Sequence, residues 1–407
     1  MSYSFDIHFK NNKSYLCELG KKWDTDKSSQ LEGSDRKHSH PYTIFYNLLF
    51  ENRRHENLNI AEIGILDGGS ILMWDEYFPN SKIYGFEYHE FLINNFNSYY
   101  QRDRVILSHM DITNKDSIIS SFTNKNVLYD IIIEDSTHDF EDQIRFIENS
   151  HTFIKPGGVL IIEDVLKHRN EQDYIDRLKH VLHNFQSFYF VSMDHNNRYS
   201  GSWNNDKVFV LVKNGESLFT QDNKLTVVTA ASNIENMIKI RKTINFDYIN
   251  EWIIVYNGTE LIDNPKIFEY DINKNKIKEY ITTKSDTCGN SLYNYALDKI
   301  ENKETYVYFL DDNNIIHADF YNILKILDKN KLYTFNEENR LLGNDINEFK
   351  IETPMILTHY SLCKDLRWKL DNKNNEFGIY IKECYEKNSE NWVYINNNLS
   401  FYKYLCK

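Results

Sequence analysis

Two apolar runs in this chain stop on acids. Residues 130–142 read DIIIEDSTHDFED, and residues 159–165 read VLIIEDV. Each run ends on a Glu-Asp pair, Glu134-Asp135 and Glu163-Asp164, and His138 follows the first pair. If both runs are neighbouring parallel strands, their C-terminal carboxylates come within a few ångströms of each other. Hard oxygen donors so placed suit Mg²⁺, which keeps water positions open for exchange. A cation of that kind can polarise a hydroxyl, a poor nucleophile, while a neutral imidazole takes its proton. The competing account of the same acids is structural: polar strand ends whose carboxylates cap the following helices.

That chemistry needs a scaffold of parallel strands, and the flanking sequence supplies one. NIAEIGI, KIYGFEY, VILSHMDI, LYDIIIEDS and GGVLIIEDV read as strands. GGSILMWDEYFP, FLINNFNSYYQ, FEDQIRFIENSHTFI and DYIDRLKHVLHNFQ read as helices around them. Strands alternating with helices predict an α/β domain with a mostly parallel sheet covered on both faces. YFVSMD and DKVFVLVKN read as a closing hairpin, and residues 1–57 as a polar segment with helical patches such as PYTIFYNLLFENRRH.

The first strand-to-helix turn, EIGILDGGS, is glycine-rich. Glycines let backbone pass close to a ligand, and the helix start offers free N–H groups. The next strand ends on Glu87, an acid suited to a ribose diol, and the third on Asp111. Together the three strand ends point to an adenosine-containing cofactor. The glycine spacing is not G-x-G-x-x-G, which argues against NAD.

The stretches DTDKSS…HSHPYTIFY, EIGILDGGSILMWDEYFPNSKIYGFE, IIIEDSTH and IKPGGVLIIEDV together resemble class I S-adenosylmethionine-dependent, Mg-dependent O-methyltransferases that act on sugars of macrolides and related glycosides. The resemblance covers roughly residues 15–213. It implies a Rossmann-like sheet with S-adenosyl-L-methionine over the strand C-termini. Gly64, Gly68 and Gly69 would flank its methionine part, with Glu62 in the same cofactor-binding set, Glu87 on the ribose and Asp111 on the adenine side. Asp135 and Asp164 would be Mg²⁺ ligands, with no third assigned, and His138 the general base. The family typically carries Asp-Asp-Gly-Ser-His where this chain has Glu134-Asp135-Ser136-Thr137-His138. The missing glycine bears on the turn that aims His138. Asp26-Lys27 and His40–Tyr42 fall in a family motif expected near the active-site mouth, and SGSWNNDK at 200–207 is a candidate lid.

After NGESLFTQDN at 214–223, the expected linker, a second strand-helix series begins: KLTVVTAA, NIENMIKIRKTI, EWIIVYNG and, later, ETYVYFLDDNN. The domain plan is therefore a methyltransferase domain at 1–213 and a second α/β domain at 224–407. The latter resembles small GT-A glycosyltransferases over about residues 224–400. The resemblance implies Mg²⁺ or Mn²⁺ with a nucleotide sugar, Asp311 near the nucleotide and Asn313 at the last metal position, where relatives usually have Asp. Glu376 is the candidate acceptor-activating acid, with Asp371 as its alternative, and His317 is either a donor or metal contact or a surface residue. The helix NSLYNYALD lacks the Gln-Arg expected between Asn290 and Asn294.

The implied whole is a bifunctional glycan-modifying enzyme with a sugar or glycan acceptor and a nucleotide-sugar donor. Its alternative is a sugar O-methyltransferase whose second domain only binds glycan or nucleotide sugar. A non-enzymatic interaction protein on two worn enzyme folds is the remaining rival. A net charge of −13 argues against nucleic-acid binding. Five scattered cysteines, no apolar leader and no apolar run of ~18 residues predict a cytoplasmic chain with no membrane span. Relatives of the first domain are often multimeric, so a homo-oligomer is compatible with the resemblance.

Overall fold

The protein is seen as a computed structural model that describes residues 4–9, 14–28, 39–195, 206–215, 223–258, 266–283, 289–338, 340–347, 350–369, 376–401 and 404–406. The chain divides into two compact units, Met1–Thr220 and Gln221–Lys407.

The first unit runs β1 (Ser4–Phe9), α1 (Tyr15–Lys22), α2 (Tyr42–Phe50), β2 (Asn59–Ile63), α3 (Gly69–Tyr77), β3 (Lys82–Glu87), α4 (Glu90–Tyr99), β4 (Val105–His109), α5 (Lys115–Thr123), β5 (Tyr129–Glu134), α6 (Phe140–Ser150), β6 (Ile154–Ile162), α7 (Glu171–Leu182), β7 (Phe185–His195) and β8 (Lys207–Lys213). Its strands lie in the order β1-β7-β8-β6-β5-β2-β3-β4. β2 pairs in parallel with β3 and β5, β3 with β4, and β5 with β6. β8 runs antiparallel to both β6 and β7, so the expected closing hairpin is present.

The three isoleucines of the opening motif now have a cause. A parallel strand with helices on both faces is apolar on both faces. Ile131, Ile132 and Ile133 are all fully buried. Ile132 joins Ala61, Leu160, Phe190 and Phe209 in a core that Ile118 and Phe122 of α5, Ile144 and Ile147 of α6, and Tyr174 and Leu178 of α7 cover. Helix starts are fixed by side-chain caps. Asn114 accepts from the amides of Asp116 and Ser117, and Asp139 from those of Glu141 and Asp142.

β1 was not expected within the polar N-terminal segment. Its sequence SFDIHF alternates half-buried and buried residues, and it lies parallel to β7, pairing Ser4 with Phe190 through Phe9 with His195. Six residues of period-two pattern inside a polar stretch are a weak signal.

The second unit runs β9 (Leu225–Ala231), α8 (Ile234–Arg241), β10 (Ile249–Asn257), β11 (Ile277–Thr282), α9 (Asn290–Lys299), β12 (Tyr306–Phe309), α10 (Phe320–Ile323), β13 (Leu332–Glu337), β14 (Ile356–His359), α11 (Tyr360–Cys363), α12 (Glu376–Asn388) and β15 (Trp392–Ser400). The strand order is β11-β10-β9-β12-β14-β13-β15, and β14 runs antiparallel to its two neighbours. Most of the expected linker, residues 216–222, lies outside the described residues.

The packing of β5 predicts that Ile132→Ala opens a cavity and costs the first unit about 2–5 kcal/mol. Chemical denaturation followed by tryptophan fluorescence checks this, and an unchanged midpoint would contradict the two-sided burial of the strand.

Candidate functional site

The chain leaves β2 toward β3 and β4 on one side of the sheet and returns to β5 and β6 on the other. At such a switch point the loops after adjacent strands diverge and leave a crevice at the strand C-termini. The crevice here is a ≈ 620 Å³ cavity whose lining includes Gly64, Glu87, Asp111, Asp135, His138 and Asp164. That volume is in the range of a cofactor pocket.

On the β2–β4 side, Glu87 is buried, and its Oε2 accepts from the amides of Ile65 and Leu66 at 3.1 and 3.3 Å. Its Oε1 accepts from the His89 amide at 3.0 Å. The carboxylate thus ties the glycine-rich turn to the end of β3. Gly64 has φ 85°, and a Cβ there would fall 2.0 Å from the Asp135 carbonyl oxygen, so the loops after β2 and β5 pass in contact. Asp111 lines the cavity and accepts from the Thr113 amide at 2.9 Å.

Three of the expected cofactor residues do not line the cavity. Gly68, in the left-handed region at φ 86°, caps α3 and faces the Phe96 ring, and Gly69 packs on the Trp23 carbonyl. The Glu62 side chain points to the α3 face, where it accepts from Trp74 Nε1 at 3.1 Å and pairs with Lys27 Nζ at 3.3 Å. Burial pushes its carboxyl up to about 7, against the pull of Lys27.

On the β5–β6 side the two Glu-Asp pairs divide their work. Glu134 turns back on its own loop, accepting from the Ser136 amide at 3.0 Å and hydroxyl at 2.5 Å. Glu163 accepts from Tyr46 Oη and from Lys27 Nζ, both at 2.5 Å. The second acid of each pair meets His138. Asp135 Oδ1 lies 3.0 Å from His138 Nε2, and Asp164 Oδ2 lies 3.3 Å from His138 Nδ1. Donor atoms of Asp135, His138 and Asp164 all lie within 4.8 Å of one another. Two hard carboxylate oxygens and an imidazole nitrogen, open to a cavity, fit a divalent cation.

The turn that aims His138 is strained at the histidine, not at the position of the missing glycine. His138 has φ 59° and Asp164 φ 55°, whereas Ser136 is not among the described residues with positive φ. Leu66, which also lines the cavity, has φ 46°. Non-glycine residues held in this region cost of order 1–3 kcal/mol each, and such strain clusters at functional sites.

Charge dominates the floor of the site. The Lys27 side chain is 2% exposed and pairs with Glu62, Asp135 and Glu163. Burial works to lower its pKa, but the three carboxylates outweigh it and hold the ammonium well above its ordinary value. Burial likewise opposes ionisation of Asp135, yet Lys27 and His138 hold that carboxyl far below the usual range. Burial also opposes the His138 imidazolium, and Asp135 and Asp164 push it up to about 10 regardless. Next to Asp164, His40 Nδ1 lies 2.8 Å from Asp206 Oδ1, and Tyr42 Oη donates to Asp164 Oδ1 at 2.5 Å. Lys27 and Tyr42 are therefore buried in the site's floor, not placed at its mouth. Of the candidate lid, residues 200–205 lie outside the described residues.

In the second unit, β12 runs into Asp311 and Asp312. Tyr293 Oη donates to Asp311 Oδ1 at 2.9 Å, and burial pushes this carboxyl up to about 7. Asp312 Oδ2 accepts from the Ser232 amide and hydroxyl and from the Asn233 amide. Asn313 Oδ1 is buried without a hydrogen-bond partner among the described residues. Asp311 and Asn313 do not belong to a converging group of three or more acid, histidine or cysteine side chains among the described residues. His317 stacks on Phe401, with ring centroids 5.0 Å apart. Glu376 opens α12, but its side chain, like residue Asp371, lies outside what is described.

The tight passage at Gly64 predicts that Gly64→Ala disturbs the loop after β5. The expected result is a lower melting temperature, read by differential scanning calorimetry. A variant that melts as the parent does would contradict the contact.

No family model matches the chain. It is 26% identical over 160 residues to demethylmacrocin O-methyltransferase of Streptomyces fradiae, covering 38% of this chain and 37% of that protein. It is 25% identical over 162 residues to mycinamicin VI 2''-O-methyltransferase of Micromonospora griseorubida, with the same coverage. The chain thus spans little more than a third of the length of these curated relatives. Among solved structures, the MycE methyltransferase from the mycinamycin biosynthetic pathway, in complex with Mg, SAH and mycinamycin VI, gives a TM-score of 0.38 at 20% identity, covering 50% of this chain and 55% of that one. The N-terminal region resembles Mg- and S-adenosylmethionine-dependent sugar O-methyltransferases of the macrolide type. The first unit is an α/β fold whose sheet is mostly parallel, with β8 antiparallel.

Proposed function

We propose that the first unit is an S-adenosylmethionine- and Mg²⁺-dependent O-methyltransferase acting on a hydroxyl of a sugar or glycoside. The carrying observation is one cavity with two unlike walls. Glu87, Asp111 and the Gly64 turn line one wall, and Asp135, His138 and Asp164 line the other. By name the curated relatives are O-methyltransferases of demethylmacrocin and mycinamicin VI and, in two further cases at 25% and 26% identity, of rhamnosyl tetracenomycins. That supports a glycoside acceptor here.

Asp135 and Asp164 are the residues that would hold the cation, with His138 beside them as the base. When bound, it lowers the cost of ionising the acceptor hydroxyl. Glu87 offers its carboxylate to the ribose hydroxyls, and Gly64 lets backbone lie against the methionine portion. His138 takes the hydroxyl proton as the oxygen attacks the methyl carbon. The chemistry the bound cofactor would supply is a sulfonium methyl group, with the thioether as leaving group. For that role the imidazole must be neutral, which requires the charge of Asp135 and Asp164 to be engaged by the cation instead of by His138. The site walls contribute chiefly alignment of oxygen, carbon and sulfur.

For the second unit we infer a GT-A-type module that binds a nucleotide sugar, with glycosyl transfer as its stronger form. Its mostly parallel sheet, broken by antiparallel β14, supports this, as does β12 running into Asp311 and Asp312. The binding form is favoured by Asp312 being spent on the loop after β9. If both units act on one glycan, tethering raises the effective concentration of the second site.

His138→Ala should abolish methyl transfer to glycoside acceptors while S-adenosylhomocysteine binds as before; undiminished turnover would remove His138 from the mechanism. Glu87→Ala should weaken S-adenosylhomocysteine by about 10- to 100-fold, the usual worth of a charge-assisted hydrogen bond, as read by calorimetry.

A further inference from the structure

The two carboxylates that face His138 each use only one oxygen to do so. Asp135 presents Oδ1 to His138 and gives Oδ2 to the Lys27 ammonium. Asp164 presents Oδ2 to His138 and takes the Tyr42 hydroxyl on Oδ1. Holding one oxygen of an aspartate restricts rotation about Cβ–Cγ and so directs the other oxygen. The holding groups are themselves immobile. Lys27 is anchored by Glu163 at 2.5 Å and Glu62 at 3.3 Å, so it ties the ends of β2, β5 and β6 together. Tyr42 is 1% exposed and stacks on His40, with centroids 4.8 Å apart and planes within 7°.

We propose that Lys27 and Tyr42 are the positioning residues of the divalent-cation site, turning Asp135 Oδ1 and Asp164 Oδ2 into the cavity so that they converge. The proposal rests on reading the Asp135–His138–Asp164 cluster as a cation site. A lysine serving only to neutralise a buried acid would need one carboxylate. Lys27 takes three, each from the end of a different strand, and one of them is a proposed ligand. Groups that orient metal ligands from behind typically change metal affinity by about 10- to 100-fold when removed.

The test is calorimetric titration of the full chain with MnCl₂ and with MgCl₂, without methyl donor, for the parent, Tyr42→Phe, Lys27→Met and Lys27→Arg. Melting temperature without metal and S-adenosylhomocysteine affinity are read in parallel. Tyr42→Phe, which deletes one hydroxyl, should weaken Mn²⁺ about tenfold. Lys27→Met should weaken it at least as much, and Lys27→Arg should recover part of the loss. S-adenosylhomocysteine should bind all four alike. A variant with a lower melting temperature but the parent's Mn²⁺ affinity would show a structural role and overturn the proposal. If Lys27→Met does not fold, Tyr42→Phe decides alone. A parent that takes up neither ion overturns the cation site itself, an outcome distinct from a parent that binds and variants that bind equally.

Discussion

A buried lysine among three carboxylates is the interaction on which the first unit's active end depends. Parallel strands bring their C-termini together, and here β2, β5 and β6 deliver Glu62, Asp135 and Glu163 to one place. Without a cation these acids would repel one another in a poorly solvated space. Removing one member of a buried ion pair costs roughly 3–5 kcal/mol, because the partner is left uncompensated. Lys27 comes from a segment before the first strand of the parallel array, so the N-terminal arm is part of the site's construction. The burden is unequal. Burial pushes Glu62 and Glu163 up, while Asp135 stays ionised.

The second constraint is backbone strain. His138 and Asp164 both sit in the left-handed region, and neither is glycine, asparagine or the end of a regular helix. Two such residues side by side persist only where surrounding contacts over-determine them. Those contacts are visible. Ser136 is fixed by Glu134 through its amide and hydroxyl, Asp139 caps α6, and Tyr42 holds Asp164 from behind. Serine at position 136 therefore does not spoil the turn. It replaces glycine's freedom with two hydrogen bonds to the acid at the strand end, and the positive φ is carried by His138.

Much of this frame was legible in the sequence because it is local or periodic. Apolar runs of strand length gave β2 to β6, and the Glu-Asp pairs marked two strand ends that turned out to be neighbours. Glu87 and Asp111 were legible by the same rule. What was not legible depends on contacts between distant segments. Glu62 and Gly64 are two residues apart and would share a face if the strand ran on, but β2 ends at Ile63 and Gly64 turns at φ 85°, so Glu62 enters the charge cluster while Gly64 lines the cavity. Gly68 and Gly69 look like ligand glycines and instead make room for Phe96 and for the backbone at Trp23. Lys27 and Tyr42 carried a family-motif signal, yet nothing in their own neighbourhood says that they reach Asp135 and Asp164 across more than a hundred residues.

The second unit shows why a pair of acids is not by itself a site. Asp311-Asp312 ends a buried parallel strand much as Glu134-Asp135 does. In the first unit an adjacent strand brings a second pair to the same level, and His138 lies between the two. In the second unit the neighbour of β12 on one side is antiparallel β14, which presents its opposite end there. The other neighbour, β9, is followed by Ser232 and Asn233, whose amides consume Asp312. Tyr293 occupies Asp311 Oδ1, and the next acid-type position is an amide, Asn313. Metal-type convergence needs donors from at least two elements whose free oxygens face each other. The same sequence pattern therefore yields a cation-type cluster where two parallel strands end together, and individually tied acids where they do not.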